Sequence, residues 1–210
     1  NLTAFTHLTD LNQTFSGCEQ LGKVEFDVTS THDVEHLYRT FFNCKKIQEI
    51  ELGSISNKLQ DDSHTTDPTK LAFGQTFFGC EALDTVKFGS TPNSNSVSMC
   101  GTFYGCAKLT GLTNIDKFTN ITNLSQTFCG CAALQNVSFI GSVVNNNSYI
   151  GLFETFKGCT SLKKIDLTKL TARLANQESA SFYQAANKSI TQGSFEAFEG
   201  TFEGCTALDT

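Results

Sequence analysis

The sequence predicts an α/β repeat solenoid in which each repeat supplies one short parallel β-strand and, on the opposite side, a short helical turn. Three observations predict it: a thirteen-residue pattern present seven times, a two-residue hydrophobic alternation at its end, and a Gly at one fixed place ahead of a Cys. Internal repetition outranks every local signal, because one such unit buries its apolar face only against its neighbours.

The pattern is T-F-x-G-C-x-x-L-x-x-V-x-F. It starts at Thr14, Thr40, Thr76, Thr102, Thr127 and Thr155, and a seventh copy, from Thr201, is cut off by the end of the chain. The repeat cysteines follow one another at 26, 36, 26, 25, 28 and 46 residues. The basic unit is therefore about 25 residues, within the leucine-rich-repeat range. The longer steps place insertions near 53–72 and 168–200. Residues 1–210 read as one domain of about seven repeats, the last truncated.

Each fixed position has a physical reason. Leu21, Val24 and Phe26, or Ile47, Ile50 and Leu52, form the strand, since Val24 and Phe26 alternate with Lys23 and Glu25 as in a half-buried strand. Stacked at roughly 4.8 Å, seven such strands span about 30 Å. Before the repeat Cys stand Gly17, Asn43, Gly79, Gly105, Gly130, Gly158 and Gly204. Six Gly and one Asn predict positive φ in a tight turn. Phe15, Phe41, Phe77, Phe103, Phe128, Phe156 and Phe202 are expected to point inward as an aromatic spine. Leu11, Leu37, Phe73, Met99, Leu124, Leu152 and Phe198 lie three residues before each Thr, and this spacing predicts the helical turn. The repeated Thr is expected to form a hydroxyl ladder onto neighbouring backbone.

These residues resemble the BspA-like leucine-rich repeats of surface proteins in anaerobic bacteria and some protist parasites. The stretch from Asn120 to Phe139, NITNLSQTFCGCAALQNVSF, is especially similar. The resemblance covers nearly the whole chain and implies a cell-surface or extracellular place. It is specific for fold and poor for function, because the shared residues are core. Repeat four departs from it, with Asn114 where the third strand hydrophobe belongs.

Composition narrows the function. Nineteen Phe need a packed interior and argue against disorder. A net charge of −6 leaves no excess of Lys and Arg for phosphates, which argues against nucleic acid as a partner. There is no apolar stretch near eighteen residues, so no direct membrane insertion is expected within this segment.

Seven of the nine Cys occupy one repeat position, and one thiol per coil predicts a buried ladder rather than a metal site. Cys100 and Cys129 stand outside it. Cys129 is expected at the surface, and the sequence leaves a Cys100–Cys129 bridge open. His32 and His36 lack a third zinc ligand and read as solvated loop residues. His64 with Asp61, Asp62 and Asp67 lacks the ordered spacing of a calcium loop and reads as polar surface. Sequons at Asn1, Asn12, Asn120, Asn123, Asn136, Asn146 and Asn187 arise readily in an Asn-, Ser- and Thr-rich chain. No catalytic motif emerges, and no cofactor or metal is expected.

A repeat array presents its variable positions as one extended surface. The outward strand residues are Lys23, Glu25, Glu49, Glu51, Thr85, Lys87, Gly111, Thr113, Asn136, Ser138, Lys164 and Asp166. They are the candidate ligand-binding face, mixed in charge and without aromatic anchors. The insertions are a second candidate. The first reading is a non-enzymatic, surface or secreted module binding a host protein or glycan. The alternative is a spacer carrying other domains of a longer protein, suggested by the missing polar caps and the unit stopping at Thr210.

Overall fold

The fold was analysed in a computed structural model, which describes residues 4, 7–27, 33–62, 67–137, 151–165 and 199–209. Seven short strands occur among them: β1 Glu49–Gly53, β2 Thr85–Phe88, β3 Val97–Ser98, β4 Gly111–Thr113, β5 Ile121–Asn123, β6 Asn136–Val137 and β7 Lys164–Ile165. All pairings are parallel. Strands β1, β2 and β4 form one sheet, β3 and β5 a second, and β6 and β7 a third.

The strands begin where the apolar alternation is strongest. In β1 the inward Ile50 and Leu52 are fully buried while Glu49 and Glu51 face solvent, and Val86 and Phe88 repeat this in β2. The first unit departs from expectation. Val24 and Phe26 are buried, but Lys23 and Glu25 lie outside any strand. A second departure is that β4 does not pair with β6. Asn114 accounts for the end of β4. It takes a left-handed conformation, φ 64°, opens a 3₁₀ turn over Ile115–Lys117, and donates its side-chain amide to the Phe88 carbonyl at 3.0 Å.

The aromatic spine is continuous. Phe15, Phe41, Phe77, Phe103, Phe128, Phe156 and Phe202 stack ring on ring, with centroids 5.4 to 5.8 Å apart. Each such contact contributes about 0.5–1.5 kcal/mol beyond the area it buries. Beside the spine, Phe73, Phe88 and Phe118 pack edge to face around one another.

The segment from the apolar residue to the Cys is not a helical turn. It is a run of overlapping turns whose amides alternate in direction. In the first unit the N–H groups of Thr14, Ser16 and Cys18 donate back to Leu11, Gln13 and Phe15. Those of Gln13, Phe15 and Gly17 donate forward to Tyr38, Thr40 and Phe42 of the next coil. This alternation requires positive φ at two places per unit. One is the predicted place before the Cys; the other is the residue before the Thr: Gln13, Arg39, Gln75, Gly101, Gln126, Glu154 and Gly200. In the second coil every backbone N–H from Leu37 to Cys44 has a partner, which is what a buried coil demands.

Two side-chain ladders reinforce the stack. Thr40, Thr76, Thr102, Thr127, Thr155 and Thr201 each donate a hydroxyl to a carbonyl of the preceding coil at 2.7–3.0 Å. Cys44, Cys80, Cys106, Cys131, Cys159 and Cys205 each donate a thiol to the carbonyl of the preceding spine Phe at 3.0–3.1 Å. The thiols thus serve as donors as well as small hydrophobes. At the column's first position, Cys18 is exposed.

The first insertion is tied in by burial and by backbone bonds. Ile55, Leu59, Leu71 and Ala72 are buried. The side-chain amide of Asn93 donates to the carbonyls of Ser56 and Leu59, at 3.3 and 2.9 Å. The second expected insertion lies almost entirely outside the described residues, as do Phe198 and the sequons at Asn1, Asn146 and Asn187.

Candidate binding surfaces

The outward strand residues fall into two register rows. Glu49 lies opposite Thr85 and then Gly111, and Glu51 opposite Lys87 and then Thr113. Asn136 lies opposite Lys164 in the separate β6–β7 pair. Ser138 and Asp166 lie outside the described residues. The structure therefore gathers Glu49, Glu51, Thr85, Lys87, Gly111 and Thr113 into one sheet and places Asn136 and Lys164 in another pair.

Ion pairs within the face hold much of its charge. Lys87 pairs with Glu49 at 2.5 Å, and Lys23 with Glu25 at 2.5 Å. The hydrogen bond and charge of Glu25 raise the Lys23 ammonium above its ordinary value, and Lys23 lowers the Glu25 carboxyl in return. Both side chains stay exposed, so each pair contributes little to stability. Between the first and second coils runs a groove of about 440 Å³ lined by residues including Lys23, Glu25, Gln48, Glu49 and Glu51. A second hollow of about 520 Å³ continues along Gln48, Glu49, Asp84, Thr85, Lys108 and Ala133.

A different edge carries a feature the sequence reading missed. Phe42, Phe78 and Tyr104, each half-buried, form a second aromatic stack with centroids 5.0 and 4.6 Å apart. The Arg39 guanidinium lies over the Phe42 ring at 4.8 Å and donates to the Gln75 side chain at 2.7 Å. The signal was available, because the residue after the repeat Phe is aromatic in three consecutive units. The fifth unit puts Cys129 at that position. Contrary to expectation Cys129 is buried, hydrogen-bonded to the Tyr104 side chain, and free. Cys100 is also buried and free, so no bridge joins the two. Farther along the column, Lys157 pairs with Glu154 at 2.7 Å and Glu203 at 2.9 Å.

His36 is likewise not a solvated loop residue. It is buried, and its Nε2 lies 3.1 Å from Asp62 Oδ1 in the first insertion. The neighbouring Asp61 accepts the Ala72 N–H at 2.9 Å, and burial pushes its carboxyl up despite that bond. His32 and His64 lie outside the described residues.

Stacked coils, parallel strands and the ladders of Thr, Cys and Phe define a leucine-rich-repeat protein. The BspA type leucine rich repeat region matches in six copies, over residues 4–71, 73–153 and 143–210, and the chain belongs to that family. Four chains of solved structures match. One is a leucine-rich repeat protein from Bacteroides ovatus ATCC 8483, 23% identical with a TM-score of 0.43, the match covering 71% of this chain and 37% of that one. The chain thus spans little over a third of that relative's length. No curated protein matches. Among the described residues, no helix is long and apolar enough to cross a membrane.

Proposed function

We propose that this chain is a non-enzymatic binding module, displayed at the cell surface or secreted, that recognises a host protein or glycan through its strand face. It is read as one continuous solenoid that holds residues distant in sequence at fixed spacing. The observation that carries the reading is the register of Glu49, Thr85 and Gly111 beside Glu51, Lys87 and Thr113, next to the groove lined by Lys23, Glu25, Gln48 and Glu49. Membership of a family typical of surface binding proteins supports it.

The test is an array of matrix proteins and glycans probed with the chain and with the double variant Glu51→Lys, Lys87→Glu. These side chains are outside the core, so the variant is expected to fold and to lose a ligand that the unmodified chain retains. Retention of every ligand by the variant would remove the strand face from the proposal.

A second reading, a spacer between other domains, is favoured by one feature: Lys87 and Glu49 already satisfy each other across the face. A spacer predicts no ligand on any array. It also predicts that strand-face substitutions leave attachment by the longer protein unchanged.

A further inference from the structure

We infer that Glu35, His36 and Asp62 form a binding site for one divalent first-row transition cation, which clamps the first insertion onto the second coil. The donor atoms of the three side chains lie within 4.8 Å of one another. A cation with bonds near 2.0–2.2 Å draws its ligands closer than this, so the side chains must converge by roughly an ångström. Asp62, whose side chain is 43% exposed, has room to make that movement.

Two features distinguish the place from an ordinary patch of surface carboxylates. First, His36 is only 6% exposed, and its Nε2 is directed at the carboxylate of Asp62. A buried imidazole nitrogen against one carboxylate, with a second carboxylate within 4.8 Å, is an N,O,O donor set of the kind zinc, cobalt and manganese take. Second, the backbone carrying the ligands is fixed on both sides. Gln60 N–H donates to the Glu35 carbonyl at 3.1 Å, Leu37 N–H to the Ala72 carbonyl at 2.9 Å, and Asp62 N–H to the Lys70 carbonyl at 3.0 Å. The ligands are thereby presented by braced segments, which lowers the ordering cost of binding.

The charge around the site favours a cation. Asp61 adds a third carboxylate next to Asp62, and the near positive group is Lys70, whose Nζ stands 4.0 Å from Asp62 Oδ2. Lys70 is thus a competitor for the same oxygen. Because Glu35 and His36 belong to the second coil and Asp62 to the insertion, occupancy joins the two segments more firmly than the single His36–Asp62 contact does.

Cobalt(II) is the probe, since its visible absorption reports ligand geometry and its near-ultraviolet charge-transfer band reports thiolate, separating this site from the nine cysteines. Titration of the full chain is expected to show saturable binding of one cobalt without a thiolate band, displaced by zinc and not by calcium. Asp62→Asn and Glu35→Gln are expected to weaken binding by about tenfold or more. Lys70→Met, which removes a surface cation and no ligand, is expected to tighten it and to increase the rise in Tm that cobalt produces. A mere His–Asp contact predicts no such tightening. The inference is overturned by absence of saturable binding, by a thiolate band, by displacement with calcium, or by unchanged affinity in Lys70→Met and Asp62→Asn.

Discussion

At the level of single residues, backbone conformation and thiol chemistry dominate. The left-handed Gly79, φ 71°, strains any side chain placed there, and an added Cβ would also displace the Asn43 side-chain oxygen 2.2 Å away. Gln13 occupies the equivalent left-handed region at φ 55° without being Gly, and it is exposed. Gly79→Ala is therefore expected to lower stability and Gln13→Gly to raise it, the latter by about 0.5–1 kcal/mol, as read by urea denaturation. The buried thiols give a pH dependence. Burial pushes Cys44 and Cys129 up to about 11, and Cys100 and Cys159 up to about 12. Unfolded thiols titrate near pH 8.5. A folded-state value above the unfolded one stabilises fully below the unfolded value, and the contribution is lost as pH rises toward the folded value. Each such thiol should therefore cost about 1.4 kcal/mol per pH unit above about pH 8.5. Urea midpoints measured from about pH 8 to about pH 10 test this, and a flat profile contradicts it. Under native conditions near neutrality, the exposed Cys18 should be alkylated well ahead of the ladder thiols, which mass spectrometry reads directly.

At the level of elements, the turn run is the unit that recurs most faithfully. It is held by forward and backward amides and by one hydroxyl per coil. The Thr127 hydroxyl meets the Met99 carbonyl at 2.7 Å and the Leu124 carbonyl at 2.8 Å. Thr127→Val keeps the volume and removes the donor, so a loss of about 1 kcal/mol is expected from denaturant melts. The sequence anticipated this ladder and the glycine turn, because each rests on one residue type at one place. It misled on the helical turn. Spacings of three and four between Leu11, Thr14 and Phe15 suit a helix, but the left-handed residues before the Thr redirect every second amide to the next coil. Gln, Arg and Glu occupy that position in five of seven units, and none announces positive φ. The strands were legible where apolar and charged residues alternate, as in β1 and β2. The interruption after β4 followed from Asn114, whose departure from the pattern was visible and whose consequence was not.

Across the whole molecule, the stacks convert local repetition into long-range order. Phe103 lies mid-spine, fully buried between Phe77 and Phe128 at 5.4 and 5.5 Å. Phe103→Ala should cost about 3–5 kcal/mol. Because coils stabilise only their neighbours, it should also speed amide exchange in the third and fifth coils more than in the first. Equal acceleration throughout would contradict neighbour-limited coupling. What the sequence determined by itself was the repeat, its period and the identity of the inward columns, since each follows from residue type recurring at fixed spacing. Only the tertiary structure decided what separate coils bring together. Phe42 meets Phe78, Phe78 meets Tyr104, Cys129 is buried beside Tyr104, and His36 faces Asp62. These contacts join residues 25 to 36 positions apart, and stacking geometry sets them rather than any local pattern. A residue's neighbours along the stack are invisible to a reading that proceeds along the chain, because the coil must close before the next one can be laid against it.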